Sequence, residues 1–144
     1  MTVIAWDGKS IAADRLAVME GLRRTTSKLH RFNGRVLTFA GEQATGLALV
    51  RWYKDGADPA KYPERQKTDD WTRLIVASAG GVEHFERQPF PIRVEDPFSA
   101  WGSGRDFALA SMYLGRSAEE AVRVACEFDT GCGGGVDVFN LKEL

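Results

Sequence analysis

Cysteine and histidine are scarce in this 144-residue chain: two of each, Cys126 and Cys132, His30 and His84. That is too few for a disulfide scaffold or a standard zinc module, so neither a bound metal nor any other cofactor is expected to supply the chemistry. Long apolar runs are missing too, since none approaches the ~18 to 20 residues of a membrane span. The opening MTVIAWDGKS has no basic stretch and no extended apolar stretch of the signal-peptide kind. A soluble, cytoplasmic protein without a membrane partner is the expectation. Excess charge of either sign is absent: 19 Lys and Arg face 20 Asp and Glu, for a formal net charge of −1. Bulk attraction to nucleic acid is therefore excluded as a source of binding. No internal repeat or low-complexity tract interrupts the chain, and its length suits one domain, 1–144, with a single sizeable core.

What is present is a dense series of turns. Thr2 to Trp6 and Ser10 to Asp14 are short apolar runs around Asp7-Gly8, and Lys28 to Phe32 and Arg35 to Ala40 flank Asn33-Gly34. Asp-Gly and Asn-Gly between apolar runs are strong hairpin signals, so four strands are expected in the first 40 residues. Residues 15–27 read as mixed and polar. From Gln43 to Asp55 the turn residues vanish, and Ala44, Leu47, Ala48 and Trp52 suggest an amphipathic helix with that buried face. Residues 56–70, with two prolines, read as a surface connection with at most one helical turn.

Trp71 to Ser78 and Gly81 to Arg87 form a further predicted hairpin, followed by a Pro-rich stretch and an apolar piece at Phe98 to Trp101. Helices are predicted at Arg105 to Leu114 and Ala118 to Phe128, the second opened by a Ser117/Glu120 capping box and buried along Ala118, Ala121, Val122 and Ala125. Alternation in Gly133 to Leu141 predicts a last strand. Strands in antiparallel hairpins with segregated helices define an α+β class, and two sheets packed face to face between helix layers would use every apolar face. Trp6, Trp52, Trp71 and Trp101 read as core residues.

Thr2 is the first residue with chemical promise. Its side chain is small enough for an aminopeptidase to remove Met1, which would leave a free α-amine beside a hydroxyl. An α-amine titrates near pH ~8, so its neutral form can act as base toward its own Oγ1. If the Asp7-Gly8 turn closes the hairpin, Thr2 lies across from Asp14, and Lys28 begins a strand that can sit beside both. A lysine there would make the hydroxyl more acidic, and an aspartate would orient the lysine. Taken singly, each has a plainer reading: an ordinary second residue, a strand-end turn residue and an exposed edge charge.

Thr2-Val3-Ile4-Ala5-Trp6, Ile11-Ala12-Ala13-Asp14-Arg15, Lys28 ahead of an apolar strand, Ala40-Gly41-Glu42, Gly102-Ser103-Gly104 and Asp129-Thr130-Gly131-Cys132-Gly133-Gly134 occur in this order. In that order and spacing the chain resembles the proteasome β-subunit family, above all its HslV-like branch and the short proteasome-like proteins of phages and bacteria. Alignment on Ala5 would set Met1 at the nucleophile position, whereas alignment on Thr2 needs a one-residue adjustment of the hairpin. In the last motif Cys132 stands where the family has Ser, and a lone small Cys in a Gly-rich loop reads more simply as packing. Cys126 reads the same way, and structural or surface roles suit His30 and His84. The glycines 131 to 135 are not a phosphate loop, because no Lys-Ser/Thr follows them.

The resemblance implies a four-layer αββα sandwich of antiparallel sheets, the N-terminal nucleophile hydrolase fold, and a threonine peptidase. Thr2 would be the nucleophile, Lys28 and Asp14 would tune it, and the Gly41 N–H would hold the oxyanion. Ser103, Asp129 and Cys132 would support the amine, with Phe39 and Gln43 lining the substrate pocket. It implies self-association into a homo-oligomeric ring and a peptide or unfolded protein as substrate, and it leaves room for an ATP-dependent unfoldase partner. The short, Pro-broken segment after Gly56 departs from the family's second long helix. A silent scaffold subunit of the same fold and an amidase for small amides remain alternatives.

Overall fold

The computed structural model describes residues 1–64 and 71–144. In chain order its elements are β1 (Ile4–Trp6), β2 (Ser10–Asp14), β3 (Leu16–Met19), β4 (Leu22–Thr25), β5 (His30–Phe32), β6 (Arg35–Ala40) and α1 (Gln43–Lys54). A 3-10 turn at Pro59–Lys61 precedes β7 (Arg73–Ser78), β8 (Gly81–Phe85), β9 (Ile92–Arg93) and β10 (Ser99–Trp101). The chain then runs through α2 (Arg105–Tyr113), α3 (Ala118–Phe128) and β11 (Val136–Asn140). Among the described residues no helix is long and apolar enough to cross a membrane.

One large sheet has the order β10-β1-β2-β11 and a second β5-β6-β7-β8-β9, both with antiparallel pairing throughout. Successive residues of a strand point to opposite faces, and here both faces are covered. Ile4, Trp6, Ile11 and Ala13 of the first sheet meet Val36, Ala40, Ile75 and Val82 of the second in the central cluster. Val3, Ala5 and Ala12 point the other way, onto Ala108, Met112, Ala121, Val122 and Ala125 of α2 and α3. Leu37, Leu74, Val76 and Phe85 point outward from the second sheet onto Leu49, Val50 and Trp52 of α1. The layers therefore run α1, sheet, sheet, α2 with α3, the expected αββα sandwich. Burial on both faces explains why residues 4–6, 11–13 and 74–77 read as unbroken apolar runs.

Local chemistry sets the joints. The Asp7 carboxylate accepts from the N–H groups of Lys9 and Ser10 to shape the first turn, and its other oxygen accepts from Ala118 at the start of α3. The Ser117/Glu120 capping box is formed as expected.

Several expectations need correction. Residues 15–27, read as mixed and polar with no strand assigned, contain the two-stranded sheet β3–β4, turning at Glu20-Gly21 with both residues at positive φ. β4 is exposed along its whole length, so no alternation marks it. Its neighbour β5 begins at His30, and Lys28 precedes that strand rather than opening it. β9 lies within the Pro-rich stretch and pairs with β8. The buried face of α1 is Gly46, Leu49, Val50 and Trp52, leaving Leu47 half exposed. Trp71 is 58% exposed, not core. Among the described residues of the 56–70 connection, 59–61 form one helical turn, and residues 65–70 lie outside the described residues.

Candidate active site

β1 begins where β2 ends, and that edge is where the predicted residues converge. Ile4 pairs with Ala13, so Val3 is the backbone partner of Asp14, one residue from the expected Thr2, and Asp14 N–H donates to the Val3 carbonyl at 3.2 Å. The Asp14 carboxylate reaches Thr2 nonetheless. Its Oδ1 accepts from Thr2 Oγ1 at 3.0 Å, from Val3 N–H at 3.1 Å and from Lys28 Nζ at 2.8 Å. Oδ2 accepts from Leu16 N–H at 3.3 Å and from Gly133 N–H at 3.0 Å. Asp14 is fully buried, and a buried carboxylate is tolerated only when donors replace its lost water. Here those five donors replace it.

Lys28 completes the centre. Its ammonium donates to Asp14, to Thr2 Oγ1 at 2.9 Å and to the Met1 carbonyl at 3.4 Å, while its side chain keeps 12% exposure. The Thr2 hydroxyl thus donates to a carboxylate and accepts from an ammonium. The side chain that meets both Asp14 and Lys28 is that of Thr2 rather than Met1. The Met1 side chain instead lies over Gly131, where a Cβ would come within 2.7 Å of its sulfur.

The Thr2 carbonyl is held from the other side. Gly104 N–H donates to it at 3.2 Å and Ser103 Oγ at 3.3 Å. Gly102 has φ +95, and a Cβ there would fall on that same carbonyl. Only glycine allows both the turn and the approach.

Behind Ser103 sit Asp129 and Cys132. Cys132 Sγ lies 3.9 Å from Ser103 Oγ and donates to Asp129 Oδ2 at 3.5 Å. Burial, reinforced by the charges of Asp14 and Asp129, pushes the Cys132 thiol up to about 12. It is therefore a packed thiol, not a ready nucleophile. The Gly131 N–H, donating to Asp129 Oδ1 at 2.8 Å, holds that carboxyl below its usual range.

Thr2, Lys28 and Ser103 open onto a cleft of about 850 Å3, shared with Gly41, Phe39 and Gln43. Asp14, Asp129 and Cys132 stand behind its wall. Gly41, at φ +129, is pressed against Thr72, whose Cα a Cβ would meet at 2.6 Å. Thr72 Oγ1 accepts from Glu42 N–H at 3.0 Å. Thr72 belongs to no motif and escapes sequence reading. The backbone donors of Leu16 and Gly133 escape it as well, because no side-chain pattern marks them.

No protein-family model and no curated protein matches the chain. Solved structures do. The chain is similar to BPH of Thiobacillus denitrificans in complex with epoxomicin, with TM-score 0.72 and 20% identity over 98% of this chain and 99% of that one. BPH without that compound gives TM-score 0.70 at 20% identity, covering 97% of each chain. HslV of Trypanosoma brucei gives TM-score 0.70 at 23% identity, covering 96% of this chain and 97% of that one. End to end, the chain has the fold of HslV and BPH.

Proposed function

We propose that the protein is a threonine-type peptidase whose nucleophile is Thr2 after removal of Met1. The observation that supports this reading is the convergence of Lys28 Nζ and Asp14 Oδ1 on Thr2 Oγ1, at 2.9 and 3.0 Å, on the wall of the large cleft.

In the proposed reaction the neutral α-amine of Thr2 takes the hydroxyl proton as Oγ1 attacks the peptide carbonyl carbon. The carbonyl oxygen becomes an oxyanion beside the Gly41 N–H. Collapse breaks the C–N bond, the protonated amine gives its proton to the leaving nitrogen, and an ester to Thr2 remains. Water, deprotonated by the same amine, hydrolyses that ester and restores the hydroxyl. Lys28 stabilises the developing negative charge on Oγ1, and Asp14 fixes Lys28. Ser103, with Asp129 and Cys132 behind it, positions the residue that bears the amine. Phe39 and Gln43 line the substrate pocket. No step draws on a cofactor.

Peptides or unfolded proteins are the proposed substrates, with a homo-oligomeric ring of this single 1–144 domain as the working form in the cytoplasm. The overall likeness to HslV supports assembly, and an ATP-dependent unfoldase would be the matching partner.

The test is to compare the chain that begins at Thr2 with the chain that keeps Met1, with intact mass confirming each N-terminus. Peptide hydrolysis only by the first supports the reading. Equal hydrolysis by both points to another nucleophile, and hydrolysis by neither in a correctly assembled sample favours the silent scaffold. Turnover of small amides but not peptides favours the amidase.

A further inference from the structure

The cleft beside Thr2 carries more exposed apolar surface than a solvent-facing wall warrants. Leu47 turns away from the buried face of α1 and lines it, and Trp71 lines it from the approach to β7. Val18 and Met19 of β3 contribute exposed side chains to the same cleft. Trp71 is the largest of these. It is 58% exposed, whereas Trp6, Trp52 and Trp101 are only 5 to 6% exposed. Its backbone is nevertheless anchored, because the next residue, Thr72, is buried and packed on Gly41. An exposed indole on a fixed backbone, in a concave site with other apolar side chains, has the makings of a contact surface for a ligand.

We propose that Trp71 is a specificity-determining residue of this cleft, selecting a large apolar side chain, aromatic or branched aliphatic, of an extended peptide bound across Thr2. The inference deepens the peptidase reading and rests on it. Anchoring at Thr72 ties the indole to the segment that carries Gly41, so a side chain resting on Trp71 would be placed in fixed relation to the proposed oxyanion donor. Binding energy gained there favours peptides that can fill the apolar surface over those that leave it wet.

The four tryptophans make the test direct, since Trp71 is the one that aqueous iodide can reach. In the chain beginning at Thr2, hydrolysis is measured for two peptides that differ at one position, Phe against Ser. Trp71→Ala should raise KM for the Phe peptide roughly tenfold, far more than for the Ser peptide, with kcat moving less. Trp71→Phe should restore most of the preference. A merely structural role for Trp71 would affect both peptides alike and overturn the proposal while leaving the peptidase reading intact.

A second arm needs no turnover. In a Thr2→Ala chain, the Phe peptide should shield the fluorescence from iodide and the Ser peptide should not, and Trp71→Phe should remove the quenchable component. Shielding without hydrolysis in the first arm sinks the peptidase reading and supports Trp71 as the contact. Equal or no shielding by the two peptides overturns the proposal. So does full shielding before peptide is added, which would show that a second copy covers the residue.

Discussion

Asp14 is the hub of the proposed site, and that makes an ordering of variants computable. Lys28→Met removes one of five donors to a buried carboxylate. Breaking a buried ion pair outright costs ~3 to 5 kcal/mol because the surviving charge is left unmet. Here four donors to Asp14 remain, the site of Lys28 keeps a little solvent contact, and the Thr2 hydroxyl still has the carboxylate as its acceptor, so the main loss should be the charged hydrogen bond to Asp14, about 2 kcal/mol. For a chain of this size that lowers Tm by roughly 4 to 8 °C. Asp14→Asn is the harsher change despite its similar shape. An amide has one acceptor oxygen, so with its NH2 group at the Oδ2 position it faces the N–H groups of Leu16 and Gly133 and leaves both without an acceptor. At ~1 to 3 kcal/mol for each orphaned buried donor, the cost is about 4 kcal/mol. Both variants should lose hydrolysis, but urea unfolding should rank wild type above Lys28→Met and Lys28→Met above Asp14→Asn. An Asp14→Asn midpoint equal to wild type, or a Lys28→Met loss larger than that of Asp14→Asn, would refute the five-donor account.

Other outcomes follow from the same geometry. Because the Cys132 thiol is pushed up to about 12 by burial and by the Asp14 and Asp129 charges, iodoacetamide near neutral pH should leave it unlabelled in the native protein and label it on unfolding. Hydrolysis should survive that treatment. Gly102→Ala should cost about 1 to 3 kcal/mol from its positive φ alone. It should also lower hydrolysis further by displacing Thr2, as kinetics alongside urea unfolding will show. Burial, helped by Lys54, lowers the His30 imidazole from its ordinary 6.5, and burial, helped by Arg73 against the opposing Glu86, lowers His84. The unfolded chain therefore takes up these protons first. Stability should be full above about pH 6.5 and fall as the solution is acidified, and replacing either histidine with Gln should flatten the decline.

How much of the fold and of the site is legible in the sequence depends on where the signal resides. Strands flanking Asp7-Gly8 and Asn33-Gly34 announce themselves, because the turn residues and the apolar runs agree. Capping at Ser117 does the same for α3. β3 and β4 do not: β4 is bathed in solvent along its length, so its pairing with β3 leaves no period in the sequence. α1 misleads because Leu47 fits the helical stripe but faces the cleft, while Gly46 occupies the buried face against the Phe39 ring. Trp71 misleads likewise, since a tryptophan at a strand's approach ordinarily signals core. At the site, Thr2, Asp14 and Lys28 come together as their order suggests. Three of the five donors that hold Asp14 are backbone N–H groups, and backbone donors have no letter in the sequence. Cys132 has two readings, and burial decides between them: its surroundings keep the thiol protonated while its contacts tie it to Ser103 and Asp129.

The most direct test of the central claim is chemical tagging of the nucleophile. An electrophile that bridges a hydroxyl and its neighbouring amine is added to the chain beginning at Thr2 and to the chain retaining Met1, and the adduct is located by peptide mass mapping. One adduct per chain is predicted, on Thr2, formed only when Met1 is absent and lost in Lys28→Met under conditions where that variant is folded. An adduct on any other residue, or equal labelling of Thr2 with Met1 still attached, would contradict it.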